Sequence, residues 1–350
     1  MSLQYENEEI PEKQISPEEF LAEQKRAIRK KSFWAIGVGA FLAIISVAGV
    51  WLLVSYFPES LEELNLEDKS FLSILFRNIL FLLGLFFLGG GIWGLLHAKS
   101  LKIEDFISSP EAIAFLESAR ETKPYYSYIL VGSIIAVYLV QLLVDRENPR
   151  EDNPIAYSIE LAGFIKPLFR QGEWWRILTG GALHGGLLHI YFNSQAFYGF
   201  GSTIEYVANR AHLAIVFLLA VIGGGVLSLI FMPAGISVGA SGGIMGLVGY
   251  LAIYGYRRKR QLPPDFLKSM LINIGFIAAF GIIAYRFVDN FAHLGGLIVG
   301  AVYGFIQIPR DLNKNPREVG TITEIFGWIA LGIFIYTCIF SVLLLLKVVS

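Results

Sequence analysis

Residues 239–256 read GASGGIMGLVGYLAIYGY, an apolar, glycine-rich stretch that is followed directly by four basic residues, Arg257 to Arg260. A helix needs about 20 apolar residues to cross a bilayer, so Ala240–Tyr256 is a short candidate for a membrane helix. Basic residues favour the cytoplasmic end of such a helix. Ser241 is therefore predicted at the opposite, outer end, where the helix begins.

Eight further apolar runs flank this stretch and extend the prediction to the whole chain. They are Phe33–Phe57, Phe71–His97, Tyr125–Val144, His184–Thr203, Ala211–Phe231, Leu267–Tyr285, Asp289–Gln307 and Ile325–Leu346. The 350 residues are 55% hydrophobic and 16% charged, whereas soluble domains are about 25% charged. We therefore predict an all-α polytopic membrane protein whose surroundings are a lipid bilayer.

Charge and cysteine content exclude other classes of partner and site. The formal net charge is −1, which gives no reason to expect a nucleic-acid partner. The single cysteine, Cys338, lies inside an apolar run, so an intrachain disulfide or a metal site built on several thiolates is excluded. Cys338 is predicted to serve helix packing.

The distribution of Lys and Arg predicts the orientation of the helices. Basic residues from Lys25 to Lys31 precede the first run, and the next loop, Pro58–Ser70, is acidic. Since Lys and Arg favour the cytoplasmic side, the N-terminus is predicted inside and this loop outside. Other basic segments fall inside by the same count: Ala98–Pro124, Arg210, Arg257–Arg260 and Arg310–Arg317. The polar, basic N-terminal tail without a presequence favours a bacterial inner (plasma) membrane.

Three of the five histidines are predicted to converge with Ser241 on the outer side. His184 and His189 lie near the start of the fourth run, His293 near the start of the eighth, and Ser241 at the start of the sixth. Single helices separate these runs, so all three point the same way. Ionisable groups in membrane helices are costly and usually functional. The other two histidines lie at helix ends and are interpreted as interfacial: His97 and His212.

Ser241 and His293 have the chemistry of a nucleophile and its base, because a serine hydroxyl reacts poorly without an adjacent base. A helix N-terminus offers free N–H groups and a dipole that favour a developing oxyanion. Each residue lies beside a glycine stripe: Gly242, Gly246 and Gly249, and Gly296, Gly300 and Gly304. If the stripes meet, the imidazole reaches the hydroxyl. The alternative is that both stripes, and the histidine, serve only helix packing.

His189 and Asn193 are four residues apart and share a helical face. Both donate hydrogen bonds, so we interpret them as oxyanion donors, with a polar zipper between helices as the alternative. His184 lies about 140° around the helix from His189 and is interpreted as a loop-fixing residue. This spacing, without a His-Glu-x-x-His sequence, argues against a metal site. Asp289, one turn before His293, either caps its helix or orients the imidazole.

Four segments resemble the rhomboid intramembrane proteases in type and order. They are GEWWRILT at 172–179, HGGLLHIYFN at 184–193, GASGGIMG at 239–246, and AHLGG at 292–296 with further glycines at 300 and 304. The resemblance covers a six-helix core at about Tyr125–Gln307. It leaves two extra N-terminal helices and one extra C-terminal helix, so about half of the chain is not covered by motif.

The resemblance implies a Ser241–His293 dyad without a required aspartate, and oxyanion contributions from His189, Asn193 and the Ser241 backbone. It also implies supporting roles for other residues. His184 is expected to be structural, and Trp175 and Arg176 to belong to the outer first loop beside the site. Glu205 matches a polar contact found in the family. Gly239 and Gly242 flank the serine in the motif. Met245 departs from the family, because some members carry there a tyrosine that packs on the catalytic histidine.

The implied function is that of an intramembrane serine endopeptidase, which cleaves single-span membrane proteins near the outer membrane boundary without a cofactor or metal. The implied domains are a cytoplasmic basic tail (1–32), two transmembrane helices with a cytoplasmic linker (33–124), a protease core (125–308), and a linker with a C-terminal helix (309–350). One alternative is a rhomboid-like non-catalytic binder of membrane helices. The four polar residues Ser241, His293, His189 and Asn193 argue against it, because such a binder has no need of all four. A transporter or channel is disfavoured because no convincing internal repeat is present.

Overall fold

The computed structural model describes residues 16–57, 70–106, 109–119, 122–149 and 156–349. The first 15 residues of the predicted tail, positions 58–69 of the acidic loop, and Arg120 lie outside the described residues. The chain separates into two compact units, Met1–Ile107 and Ser108–Ser350.

The first unit contains α1 (Pro17–Tyr56), α2 (Phe71–Phe76), α3 (Ile79–Ser100) and a 3₁₀ turn at Ile103–Phe106. Helix α1 begins well before its apolar run because Ser16 and Glu19 form a capping box, with both bonds at 3.1 Å. The predicted tail, residues 1–32, is therefore helical from Pro17 onward.

The run Phe71–His97 was predicted as one helix, and this is wrong because the helix is interrupted at Arg77 and Asn78. The Asn78 side chain accepts hydrogen bonds from the backbone N–H groups of Leu80 and Phe81 at 2.9 and 3.3 Å. These bonds cap a new helix, α3, since an N-cap asparagine satisfies N–H groups that the helix leaves free.

Helices α1 and α3 pack through glycines. A Cβ added at Gly39 would lie 2.7 Å from the Gly84 carbonyl oxygen, and one at Gly91 would lie 2.7 Å from that of Ser32. Small residues allow backbones to approach this closely, which is the usual basis of packing between membrane helices.

The second unit contains the following helices in chain order. They are α4 (Pro110–Ala119), α5 (Tyr125–Glu147), α6 (Tyr157–Ala162), α7 (Lys166–Arg170), α8 (Arg176–Ala182), α9 (Leu187–Val207), α10 (Arg210–Phe231), α11 (Ser241–Arg257), α12 (Phe266–Ile283), α13 (Asn290–Gln307) and α14 (Thr321–Leu345). A 3₁₀ turn, Lys259–Gln261, follows α11. The all-α prediction is confirmed, apart from one short strand pair.

That pair joins β1 (Phe164–Ile165) to β2 (Ile236–Ser237). The strands are antiparallel, with Phe164 opposite Ser237 and Ile165 opposite Ile236. The long loop before α9 is thereby fastened to the segment that leads into α11.

Aromatic rings join α9, α10 and α14 at the centre of the second unit. Phe217 meets Phe197 edge-on at 4.6 Å and Phe334 at 4.9 Å, and all three rings are buried. A Cβ added at Gly327 would lie 2.5 Å from the Cβ of Ala211, so α14 packs directly against α10. The C-terminal helix is therefore part of the same compact unit as the predicted core.

His212 lies at a helix end as predicted, as the third residue of α10, but its interpretation as an interfacial side chain is wrong because it is buried. Its side chain is only 6% exposed, and Nδ1 lies 2.9 Å from the Tyr303 hydroxyl of α13. The ring also stacks near Tyr250 of α11, with centroids 6.0 Å apart. The start of α10 is covered by two other helices, which apolar runs alone do not reveal.

The linker after α13 is held by the fully buried Arg258. Its guanidinium donates to the carbonyl oxygens of Asp311 at 2.5 Å and of Lys314 at 2.9 Å. A residue that contributes to the predicted charge bias also has a structural role, because it satisfies loop carbonyls that would otherwise be buried without a donor.

Among the described residues, six helices are long and apolar enough to cross a membrane: α1, α3, α5, α10, α12 and α14. The helices α9, α11 and α13 also fall on predicted runs and have 21, 17 and 18 residues. These three carry the predicted dyad and the predicted oxyanion donors: Ser241, His293, His189 and Asn193. Their glycines and polar side chains lower their hydropathy.

Candidate active site

Ser241 is the first residue of α11. The chain reaches it through Gly239, whose φ of +117° lies in a region that favours glycine. The Gly239 N–H donates to the carbonyl oxygen of Gly180 at 2.8 Å. The turn before the serine is therefore fixed to α8, and Ser241 lies at a helix N-terminus as predicted.

The predicted meeting of two glycine faces is confirmed. A Cβ added at Gly296 would overlap the carbonyl oxygen of Gly242, and one at Gly300 would overlap that of Gly246. Gly304 differs, because its added Cβ would lie 3.2 Å from the Tyr250 side chain. Helices α11 and α13 are thus in backbone contact over their first turns.

This contact brings Ser241 and His293 to neighbouring first turns. Gly242 follows the serine and Ala292 precedes the histidine, and a Cβ added at Gly242 would lie 3.4 Å from the Ala292 carbonyl oxygen. Within the part of the chain that the structure describes, no hydrogen bond joins the Ser241 hydroxyl to the His293 imidazole. Catalytic hydrogen bonds often tighten only in the reacting complex.

Asp289 caps α13, the first of its two predicted alternatives. Its Oδ1 accepts from the Ala292 N–H at 2.9 Å, and its backbone carbonyl accepts from the His293 N–H at 3.1 Å. Its Oδ2 accepts from the hydroxyls of Ser228 and Ser237. The carboxylate holds the backbone around the histidine, and its recorded bonds, among the described residues, do not include the imidazole.

His189 lies on α9 and faces the turn before the serine. Its Nδ1 accepts from the Gly185 N–H at 3.2 Å, so the proton of the neutral ring is on Nε2. A Cβ added at Gly239 would lie 2.7 Å from that Nε2. The ring thus directs its free donor toward the segment that carries Ser241, and a side chain at position 239 would displace it.

Asn193 lies one turn further along α9 and is buried. Its Nδ2 donates to the His189 carbonyl oxygen at 2.9 Å. This bond uses one of the two amide hydrogens, so the second hydrogen can be donated to a substrate. Its Oδ1 is buried and, among the described residues, has no hydrogen-bond partner. Both side chains are on the predicted shared face.

His184 precedes α9, and its backbone is fixed from α5. Its N–H donates to Gln141 Oε1 at 2.9 Å, and Gln141 Nε2 donates to its carbonyl oxygen at 3.2 Å. The His184 ring meets the His189 ring with centroids 5.2 Å apart. These bonds are made by the His184 backbone, and among the described residues both of its buried ring nitrogens have no hydrogen-bond partner, so the loop-fixing role of this side chain stays a prediction.

Trp175 and Arg176 organise the loop before α9. The buried Arg176 donates to the carbonyl oxygens of Glu160 at 3.1 Å and Gly163 at 2.8 Å. Its guanidinium lies over the Trp175 ring at 4.6 Å, and that ring meets Phe340 of α14 at 5.6 Å. The recorded contacts of the pair therefore hold the loop before α9 and do not involve Ser241.

Glu205 and Met245 are both buried. The Glu205 carboxylate accepts from the backbone of Tyr126 at 3.0 Å, and from the N–H and hydroxyl of Ser127 at 2.9 and 2.6 Å. It joins the C-terminal turn of α9 to the start of α5. Met245 lies one turn beyond Ser241 on α11.

Sequence reasoning missed Lys166, whose side chain is completely buried near Asp289. The signal was a single lysine among the apolar residues of Phe164–Phe169.

As for metals, no group of three or more His, Cys, Asp or Glu in the described ranges is arranged to hold an ion.

The region that matches a known protein family contains all the site residues that the sequence predicted, but not Lys166. The family described as Rhomboid domain matches residues 171–310. The chain is 30% identical over 182 residues to Rhomboid protease GluP of Bacillus subtilis (strain 168), covering 51% of this chain and 34% of that protein. It is 34% identical over 171 residues to RHOMBOID-like protein 6, mitochondrial, of Arabidopsis thaliana, covering 47% and 53%.

A third relative is matched over nearly its whole length. The chain is 31% identical over 196 residues to Rhomboid protease GlpG of Haemophilus influenzae, covering 54% of this chain and 93% of that protein. By contrast, it spans about a third of GluP and about half of the Arabidopsis protein. The glycine contact, the serine at a helix start and the match to GlpG agree: this chain is an integral multi-pass membrane protein that belongs to the rhomboid family.

Proposed function

We propose that this chain is an intramembrane serine endopeptidase in which Ser241 is the nucleophile and His293 the general base. The observation that carries the proposal is the backbone contact between α11 and α13. It sets the serine and the histidine at adjoining helix starts. A hydroxyl gains nucleophilicity from a base held in this way.

The chemistry needs a proton carrier and an oxyanion site. The Ser241 hydroxyl attacks the substrate carbonyl while its proton passes to His293, which then protonates the leaving amine. Water then attacks the acyl carbonyl while its proton passes to His293, and His293 returns that proton to the Ser241 oxygen as the bond between this oxygen and the acyl group breaks. Charge on the carbonyl oxygen is stabilised by the Ser241 backbone N–H, the free His189 Nε2–H and Asn193.

The proposed substrates are single-span membrane proteins, cut near the outer boundary of their membrane segment. Ser241 lies at the end of α11 opposite the basic residues Arg257–Arg260. Since basic residues favour the cytoplasm, the site opens to the outer side, with the N-terminus of the chain inside. A bacterial inner membrane suits this orientation.

The test is covalent labelling of the purified full chain in detergent with a fluorophosphonate probe. Wild type is expected to be labelled, and Ser241→Ala and His293→Ala each to lose labelling. The double variant should be labelled no less than either single variant, because the pair acts as a unit. Ser341→Ala is the matched control, since in the described part of the chain the hydroxyl of this buried serine bonds only to the Thr337 carbonyl of its own helix, at 2.8 Å.

Two outcomes would contradict the proposal. Labelling that survives Ser241→Ala would exclude this serine as the nucleophile. A folded wild-type protein that is never labelled would instead favour a rhomboid-like non-catalytic binder of membrane helices.

A further inference from the structure

Four polar residues outside the proposed dyad form a buried cluster, which we name the Lys166–Asp289 cluster: Lys166, Ser228, Ser237 and Asp289. The Lys166 ammonium donates to Ser237 Oγ at 2.6 Å and lies 3.6 Å from Asp289 Oδ2. Both serine hydroxyls donate to the same Oδ2. The Lys166 side chain is 0% exposed and that of Asp289 14%.

The cluster joins the segments that lead into the two proposed catalytic residues. Ser237 belongs to β2, four residues before Ser241. Asp289 is the N-cap of α13, four residues before His293. Lys166 follows β1, the strand paired with β2, and its N–H donates to the Gly235 carbonyl at 3.3 Å.

The two carboxylate oxygens of Asp289 have separate tasks. Oδ1 caps the helix through the Ala292 N–H at 2.9 Å. Oδ2 faces the lysine and the two serines. Asparagine is as good an N-cap as aspartate, so a substitution can keep the cap while it removes the charge that faces Lys166.

Stability alone does not account for a buried ion pair at this place. Desolvation of two charges offsets most of their attraction, and apolar replacements are often as stable. Burial lowers the pKa of Lys166 below the usual value for lysine, and the Asp289 carboxylate acts in the opposite direction. The aspartate therefore helps to keep this lysine charged.

We propose that the Lys166–Asp289 ion pair positions the dyad, because it fixes the start of α13 relative to the strand before Ser241. This inference rests on the proposed function. A displacement of about 1 Å between reacting groups can cost on the order of 100-fold in rate. Lys166 and Asp289 are thus positioning residues that act through Ser241 and His293.

The test compares Lys166→Met, Asp289→Asn and the double variant in the full chain, in detergent, with the fluorophosphonate probe. The maximal labelling rate, kinact, should fall about tenfold in each single variant, while the half-saturating concentration, KI, changes less than twofold. The double variant should be no slower than the slower single variant, because either substitution alone already breaks the pair. Thermal unfolding of each variant is recorded in parallel.

The matched control is the ion pair of Lys268 and Asp265, which lies 3.5 Å apart at the exposed start of α12. Lys268→Met and Asp265→Asn should label at the wild-type rate. Where Lys166→Met does not fold, Ser237→Ala replaces it, since it removes the hydroxyl that bonds to both Lys166 and Asp289 and keeps both charges. It should also lower kinact at unchanged KI.

The inference is overturned if the single variants keep the wild-type kinact, if their losses multiply in the double variant, or if the loss only follows the unfolded fraction. The proposed function fails in a different way, through an unlabelled wild type or a labelled Ser241→Ala. The two failures are therefore distinguishable.

Discussion

His189 and Asn193 differ in what their hydrogen bonds leave free for an oxyanion. His189 keeps its Nε2–H beside Gly239, whereas Asn193 gives one of its two amide hydrogens to the His189 carbonyl. We expect His189→Ala to lower kcat by about 100-fold and Asn193→Ala by about tenfold, since a single donor contributes about 3 kcal/mol or less when backbone donors remain. Steady-state cleavage of a membrane substrate measures kcat of each variant. If both variants keep the wild-type kcat, these residues are not oxyanion donors.

The same residues illustrate what sequence spacing can predict. The shared face of His189 and Asn193 and the two glycine stripes follow from helical periodicity, and the structure has both features. The partners of Lys166 come from β2 and the start of α13. Such long-range contacts leave no periodic signal, so this residue was missed. His212 was misjudged for the same reason.

At the scale of elements, the contact between α11 and α13 leaves no room for a methyl group. A Cβ at Gly300 would overlap the Gly246 carbonyl oxygen, and backbone cannot move aside as a flexible side chain can. Gly300→Ala should therefore destabilise the protein by about 1–3 kcal/mol and lower activity, because the helices must separate. Thermal unfolding in detergent measures the first effect.

Gly275→Ala on α12 is the control for this prediction, since no atom of the residues described in the structure, other than those of its own helix and chain neighbours, lies within 4 Å of its added Cβ. It should unfold at the wild-type temperature. Equal unfolding temperatures for both variants would mean that the glycine contact does not limit helix approach.

Element boundaries were less predictable than element identity. Apolar runs report where lipid or a core surrounds a helix, but helix ends depend on local capping. Ser16 starts α1 inside a charged segment, and Asn78 divides the second run. Both are residue types that cap helices through their side chains. A search for caps as well as hydropathy would have found both boundaries.

At the scale of the whole molecule, the charge pattern predicts one orientation in the membrane. In a Cys338→Ala background, Ser60→Cys should react from outside the cell with an impermeant thiol reagent, and Lys259→Cys should not. Lys259 is exposed, so its protection would come from the membrane, and permeabilised cells provide the control. The reverse pattern would put Ser241 on the cytoplasmic side and overturn the proposed localisation.

The proposed site also constrains its substrates. In a lipid-embedded helix every interior backbone N–H and C=O is paired, so the carbonyl is shielded until the segment unwinds. Glycine and proline lower that cost by about 1 and 3 kcal/mol in a helix interior. We therefore expect a small residue before the cut and a helix-weakening residue after it, inside the membrane. Replacing that Gly or Pro by Leu should slow cleavage at least severalfold, with an equivalent Leu substitution beyond the membrane segment as control. If the rates of several substrates stay unchanged, unwinding does not limit cleavage and this account of specificity is wrong.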